Sequence, residues 1–292
     1  DYAKAFFGLT DMQVANETEC WHNIREAITK NGSPLWALKY MRDEAYINPD
    51  YKKATLQVVD ALQKFVMQEH DRDGEMNFAS LLREINNIDG DFIIRFMTSH
   101  PKDCTHELLD TMAQCEKVAK HLHLPVQCGN DRVLKAMNRG YTAEKYLSLL
   151  EYARSVMPEL SVTSDIIVGF PGETYEEFLD TVKLIEKAQY TSLYTFIFSP
   201  REGTRAAKMD DPVSREEKGK WFSELCAAQE KIAAVRTSAM VGREYRVLCE
   251  SKAKKDGYIS GRTQGNIIIE FPADESVIGS FRTVRVTEAL IW

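Results

Sequence analysis

The sequence predicts an α/β protein, with a partial (βα) barrel lying between an all-helical amino-terminal segment and a small carboxy-terminal β-barrel. Three changes of texture carry that prediction. Residues 1–75 hold only helical signals, residues 76–240 alternate short apolar strands with amphipathic helices, and residues 241–292 hold short strands broken by glycine turns with no helical period. These spans are the expected domains.

In the first span, NETECWHNIREAITKNG closes on Asn31-Gly32. Ser33 caps SPLWALKYM with Pro34 at the first helical position, and Asn48-Pro49 opens a further helix in the same way. Leu56, Val59, Leu62 and Val66 recur at helical spacing, so one face is apolar and needs a partner surface. Trp21, His22 and Trp36 read as packing residues rather than ligands.

The second span reads as helix FASLLREINNI, strand DFIIRFMTS, helix THELLDTMAQCEKVAK, strand HLHLPV, helix TAEKYLSLLEYARSVM, strand SVTSDIIVGF, helix TYEEFLDTVKLIEKA, strand SLYTFIFS and the long helix SREEKGKWFSELCAAQEKIAAV. Capping boxes are expected from Thr174 with Glu177 and from Ser214 with Glu217. Short apolar strands separated by helices imply a parallel sheet, whose functional groups lie at the carboxyl ends of its strands. In the third span, DG, SG, QG and IG pairs mark the turns of a small all-β barrel.

Composition narrows the function. With 292 residues, 44% hydrophobic and 28% charged, the chain has enough apolar mass for substantial cores. It contains no run of about 18 apolar residues, so no membrane is expected as a partner. DYAKAFFGLTDMQ lacks the pattern of a secretion signal, and the expected location is the cytoplasm. The cysteines, at 20, 104, 115, 128, 226 and 249, form no CxxC or CxxxC pair, which argues against a disulfide framework and against a local zinc or iron–sulfur site. A net charge of -7 gives no global pull toward nucleic acid, so RNA binding requires a local basic patch.

The strand-end groups are Thr98, Ser99, His100, Pro101 and Lys102; Gln127, Cys128, Gly129 and Asn130; Asp165, Gly169, Pro171, Gly172 and Glu173; and Ser199, Arg201, Gly203 and Thr204. Hydroxyls, amides and glycines suit a polar small molecule with ribose hydroxyls, an amine and a carboxylate. No hydrolytic triad and no paired carboxylates stand out. His121 and His123 point to one side of a strand, as in some zinc barrels. With only His100 and Asp165 as further ligands, they read as pocket or core histidines. Cys128 reads as a small turn residue rather than a nucleophile. Arg132, Lys135 and Arg139 can grip a carboxylate or phosphate, or solvate a helix face.

RFMTSHPKD, HLPVQCGNDRVLKAMNRGYT, TSDIIVGFPGETYEEF, TFIFSPREGTRAAKM and GRTQGN, in this order, resemble the radical S-adenosylmethionine (SAM) methylthiotransferases over residues 76–292. RFMTSHPKD and HLPVQ favour the MiaB-type tRNA branch, and the closing β segment is similar to the RNA-binding TRAM domain. The resemblance implies 2-methylthiolation of an isopentenyl-type adenosine next to the anticodon of tRNA, with SAM and [4Fe-4S] clusters as cofactors. It places Ser99, Gln127 and Asp165 along the SAM pocket, Gly169 in the adenine-side turn and Arg139 near the cofactor carboxylate. In the TRAM-like segment it makes Lys252, Lys254, Lys255, Arg262 and Asn266 the RNA-contact candidates.

Two departures accompany it. Cys128 and Asn130 stand where the family has the serines of its QSGS turn. The family's CxxxCxxC motif and the three cysteines of its amino-terminal domain are absent, so the chain has no cluster ligands, and catalysis by it alone is not expected. The matching part supplies about four of the six βα units, whose open edge needs a cover such as the Leu56–Val66 stripe or a further chain. The alternative function is a non-catalytic RNA- or nucleotide-binding protein derived from the same family.

Overall fold

The computed structural model describes residues 77–97 and 99–290. The helices expected over residues 1–75 lie outside the described residues. Those described fall into two units: residues 77–97 with 114–119, and residues 99–113 with 120–290.

In the first unit, helix α1 (Phe78–Asn86) starts where the Asn77 side chain accepts the Ser80 N–H at 2.9 Å. It buries Ala79, Leu81, Leu82 and Ile85, the face set by its three- and four-residue spacing. The strand expected over DFIIRFMTS reduces to one parallel bridge between Ile94 and Val118. Its bonds run from Ile94 N–H to the Lys117 carbonyl (2.7 Å) and from Ala119 N–H to the Ile94 carbonyl (2.9 Å). No ladder forms because the partner is short: Val118 N–H closes a turn on the Cys115 carbonyl.

In the second unit, helix α2 (His106–Gln114) stops before the closing CEKVAK of its predicted span. The parallel sheet has three strands in the order β1 (His121–His123), β2 (Ser161–Val168) and β3 (Ser192–Ile197). β1 is shorter than HLHLPV predicts because Pro125 has no N–H to give to a ladder. Single bonds continue the pairing on either side of it, with Leu124 N–H on the Thr163 carbonyl before it and Gln127 N–H on the Asp165 carbonyl past it, each at 2.9 Å.

Helices α3 (Asp131–Ala136) and α4 (Ala143–Val156) join β1 to β2, α5 (Tyr175–Ala188) joins β2 to β3, and α6 (Arg215–Ser238) follows β3. The Thr174–Glu177 capping box closes from both sides. The Ser214 box forms by half. Ser214 accepts the Glu217 N–H at 3.1 Å, but the Glu217 carboxylate turns to the Trp221 indole N–H at 3.2 Å, on the next turn of the same helix.

The core between sheet and helices includes Leu122, Leu124, Leu150, Val162, Ile166, Phe178 and Ile185, all sealed from solvent. Two buried phenols are satisfied within it: Tyr190 donates to Tyr146 (2.9 Å), which donates to the Leu124 carbonyl (2.8 Å).

The carboxy-terminal part is a four-stranded antiparallel sheet in the order β6 (Ile268–Pro272), β5 (Tyr258–Thr263), β4 (Glu244–Lys252), β7 (Phe281–Arg285). Gly257 and Gly279 take the predicted left-handed turn positions, with φ of 74° and 84°. The Ser260-Gly261 pair is no turn but lies inside β5. A Cβ on Gly261 would stand 2.4 Å from the Leu248 carbonyl, so strand packing, not a turn, demands this glycine.

Gly129 is under a similar constraint, since a Cβ there would lie 2.5 Å from the Thr181 Cα and 2.6 Å from the Asp180 carbonyl of α5. Both obstacles are backbone. Gly129→Ala is expected to lower the urea midpoint by the equivalent of about 1–3 kcal/mol, the usual cost of overpacking. A midpoint equal to the wild type would show that the turn and α5 separate freely.

Candidate functional site

The carboxyl ends of β1 and β2 are tied together by one buried carboxyl. Beyond β2, Phe170, Pro171, Gly172 and Glu173 form a tight turn. It closes from Glu173 N–H to the Phe170 carbonyl (2.8 Å), with Gly172 at φ 76°, and its Pro-Gly centre suits a type II turn. Glu173 is 2% exposed and folds back so that Oε2 accepts the N–H groups of Gly169 (2.6 Å) and Phe170 (3.0 Å). Its Oε1 accepts the Cys128 thiol at 3.6 Å. Thr181 of α5 completes the tie, accepting the Gly129 N–H at 2.8 Å. Burial pushes the Glu173 carboxyl up to about 7, against the opposing effect of the two amides.

Four of the five cofactor candidates sit along these strand ends. Gln127 is nearly buried and holds a left-handed backbone (φ 72°) while still pairing with β2 on both sides, through Asp165 and Ile167. A non-glycine residue there stores strain, a frequent mark of functional sites. Ser99 joins the same end, its N–H donating to the His123 carbonyl at 3.1 Å. Asp165, part-exposed on β2, has Oδ1 3.4 Å from His123 Nε2. Gly169 follows β2 with φ 71°, and a Cβ on it would lie 2.5 Å from the Lys218 side chain. That lysine is buried and held by Asp211 at 2.6 Å. The fifth, Arg139, lies after α3 near Tyr141 and is not part of this hydrogen-bonded network. Its Nε is buried without a hydrogen-bond partner.

Neither histidine of the HxH pair is arranged for metal. His121 Nε2 and His123 Nδ1 both meet the Thr163 hydroxyl, at 3.1 and 2.9 Å. No group of three or more metal-ligating side chains occurs among the described residues. The two residues that replace the family's serines face inward. Cys128 is fully buried, with its thiol pushed up to about 12 by desolvation first and the Glu173 charge second, so it is no nucleophile. Asn130 caps α3, accepting the Arg132 and Val133 N–H groups while donating to Asp180 at 2.9 Å.

The five RNA candidates divide between the two ends of β5. Lys252, Lys254 and Lys255 cluster at the β4–β5 turn, Lys252 paired with Glu275 (2.5 Å) and Lys255 over the Tyr258 ring (3.8 Å). Arg262 and Asn266 lie toward the other end, Arg262 about 10–15 Å away at strand rise. Arg262 is engaged there with Glu250 (2.9 Å) and Asn266 (3.4 Å).

Sequence reasoning named Glu173 only as a turn residue and left Thr163 unmentioned. The available signal was the period of two shared by HLH and TSD. In parallel register it sets His123 beside Thr163, with Asp165 two residues on along the same face.

Known proteins match the same segments. The radical SAM superfamily profile matches residues 48–185, beginning upstream of residue 76, where the resemblance was expected to start, and the TRAM domain profile matches residues 238–290. The tRNA-2-methylthio-N(6)-dimethylallyladenosine synthase of Syntrophotalea carbinolica is 47% identical over 218 residues, 74% of this chain and 50% of that one. That of Thermoanaerobacter sp. (strain X514) is 44% identical over 223 residues, 76% and 47% of the two chains. Over about three quarters of its length the chain is thus similar to these synthases, with a radical SAM segment followed by a TRAM segment. The chain spans about half the length of the curated relatives it matches. Among solved structures, coproporphyrinogen III oxidase from Escherichia coli aligns over 77% of this chain and 66% of its own, at 15% identity and a TM-score of 0.47.

Because the Glu173 carboxyl rises from an ordinary 4.5 to about 7 on folding, the folded chain binds more protons than the unfolded one between those values. Stability from this group is full below about 4.5 and declines as pH rises to about 7. The loss amounts to about 3 kcal/mol. Glu173→Gln is expected to remove that decline when urea unfolding is followed from pH 4.5 to 8. A wild-type and variant pair with parallel pH profiles would refute it.

Proposed function

We propose that this chain forms the SAM-binding and tRNA-binding part of a methylthiotransferase that modifies carbon 2 of an isopentenyl-type adenosine next to the anticodon. The observation that carries the reading is the strand-end network, in which Ser99, Gln127, Asp165 and Gly169 are brought together by backbone pairing and by the Glu173 tie. Bound SAM supplies the methyl group and the adenosyl group that abstracts hydrogen in this family.

The chain's own residues bind and orient it. Asp165 offers a carboxylate oxygen to ribose hydroxyls or the amine, Ser99 and Gln127 offer neutral polar atoms, and Gly169, whose Cα face is covered by Lys218, fixes the course of the backbone after β2. Arg139, with its unpartnered Nε, suits the cofactor carboxylate. The residues do not fit an iron–sulfur cluster, since the sequence has no CxxxCxxC motif. No step through such a cluster is assigned to this chain, and a further segment or chain is the source its chemistry requires.

The tRNA side of the reading rests on the TRAM match and on the Lys252, Lys254 and Lys255 cluster, whose charges neutralise backbone phosphates. No helix among the described residues is long and apolar enough to cross a membrane. A tRNA substrate places the work in the cytoplasm.

Two measurements test the reading. SAM titrated into the full chain is expected to bind, and Asp165→Ala to weaken it about tenfold or more, the worth of a hydrogen bond to a charged group. Undiminished SAM binding by that variant would remove Asp165 from the pocket. Separately, the Lys252→Ala, Lys254→Ala and Lys255→Ala triple variant is expected to reduce the slope of log affinity for tRNA against log salt by about 2–3. An unaltered slope would place the RNA surface elsewhere.

A further inference from the structure

One polar chain on the sheet is left over from this account. His121, Thr163, His123 and Asp165 follow one another across β1 and β2: His121 Nε2 to Thr163 Oγ1 at 3.1 Å, Thr163 Oγ1 to His123 Nδ1 at 2.9 Å, and His123 Nε2 to Asp165 Oδ1 at 3.4 Å. Parallel register puts His123 beside Thr163, and the strand period keeps both histidines and both β2 residues on one face. Asp165 stands toward the carboxyl end of β2, while His121 lies at the opposite end of β1.

The direction of this chain follows from donor inventory alone. An ionised Asp165 only accepts, so the ring nitrogen facing it, His123 Nε2, carries the proton. In a neutral imidazole Nδ1 is then an acceptor, so Thr163 donates to it. The threonine hydroxyl has one proton, and having spent it on His123 it must accept from His121 Nε2–H. Burial holds the His123 pKa below the ordinary value despite the opposing pull of Asp165, which keeps this ring in the neutral form the arrangement needs. The titratable groups facing His123 are Asp165 of β2, Tyr194 of β3, with ring centres 5.6 Å apart, and, through Thr163, His121 of its own strand.

We propose that these four residues form a proton relay that sets the protonation state of Asp165 in the cofactor pocket. The proposal rests on the reading of that pocket given above. When His121 carries a second proton, one transfer runs the length of the relay. The His121 Nε2–H, Thr163 O–H and His123 Nε2–H bonds break, and new bonds form at Thr163 Oγ1, His123 Nδ1 and Asp165 Oδ1. An imidazolium and a carboxylate become a neutral imidazole and a neutral carboxylic acid, and every proton is accounted for. Asp165 thereby acts as acceptor or donor toward a ligand amine or hydroxyl, with charge exchanged at His121 rather than with water in the pocket.

The full chain labelled with 15N in its histidine rings tests this by long-range proton–nitrogen correlation at neutral pH. The relay requires His121 and His123 both to hold their proton on Nε2, in at least about tenfold excess over the other tautomer. A proton on Nδ1 of His123 overturns it, and this reading needs no variant. Thr163→Ser, which keeps the hydroxyl, is expected to preserve both tautomers and their joint response to acid. Thr163→Val is expected to make the two rings titrate independently. Joint titration surviving in a folded Thr163→Val protein also overturns the relay.

The pocket reading fails separately. If Asp165→Asn binds SAM as well as the wild type while the tautomers are as stated, the relay stands and the pocket assignment falls. If the variant loses SAM and the tautomers differ, the pocket stands and the relay falls.

Discussion

Glu173 is the group on which the arrangement of the strand ends depends. A carboxyl removed from water costs several kcal/mol unless it is satisfied, and here its satisfaction comes from two different turns. One oxygen collects the Gly169 and Phe170 amides of its own turn, and the other the Cys128 thiol of the turn after β1. Loops at the ends of parallel strands are ordinarily the loosest parts of such a fold. These two are fixed to each other by a bond neither can make alone, and Thr181 then pins the turn after β1 to α5 through the Gly129 N–H. The left-handed Gln127 and the Gly169 amide are held in place by the same tie.

This arrangement explains why residues that look reactive are structural. Cys128 has the identity of a nucleophile and the environment of a core residue, with a thiol that stays protonated near neutral pH. The HxH pair has the spacing of a metal site, yet both inward nitrogens are committed to a single threonine hydroxyl. What remains for a ligand is one part-exposed carboxylate, a serine, a glutamine and bare backbone. That set suits binding and orientation rather than bond-breaking by the protein itself.

The carboxy-terminal sheet shows a second division of labour. The GRTQGN turn and the KAKKD turn both carry cations that read alike in the sequence. Arg262 is bound between Glu250 and Asn266, while on the opposite turn Lys252 pairs with Glu275, Lys255 lies over the Tyr258 ring and Lys254 is exposed. Charge near a turn is thus a weak guide to RNA contact until its internal partners are known.

The sequence by itself determined the βα alternation, the helix starts at Thr142, Thr174 and Ser214 and the short glycine-punctuated strands at the carboxyl end, because caps, periods and turn residues are local and repeat within a few residues. It overestimated the DFIIRFMTS strand and the strand through Pro125, since a ladder depends on what lies beside it as much as on the residues within it. The candidate site was legible as a set of small polar residues at strand ends and as a resemblance, and Ser99, Gln127, Asp165 and Gly169 were named as candidates in that way. Only the tertiary structure decided that Glu173 joins two turns 45 residues apart in the chain, that Thr163 lies between two imidazoles, and that Arg139 stands outside the network. Those facts depend on strand register and on the direction each buried donor is forced to take, and neither is written in any contiguous stretch of residues.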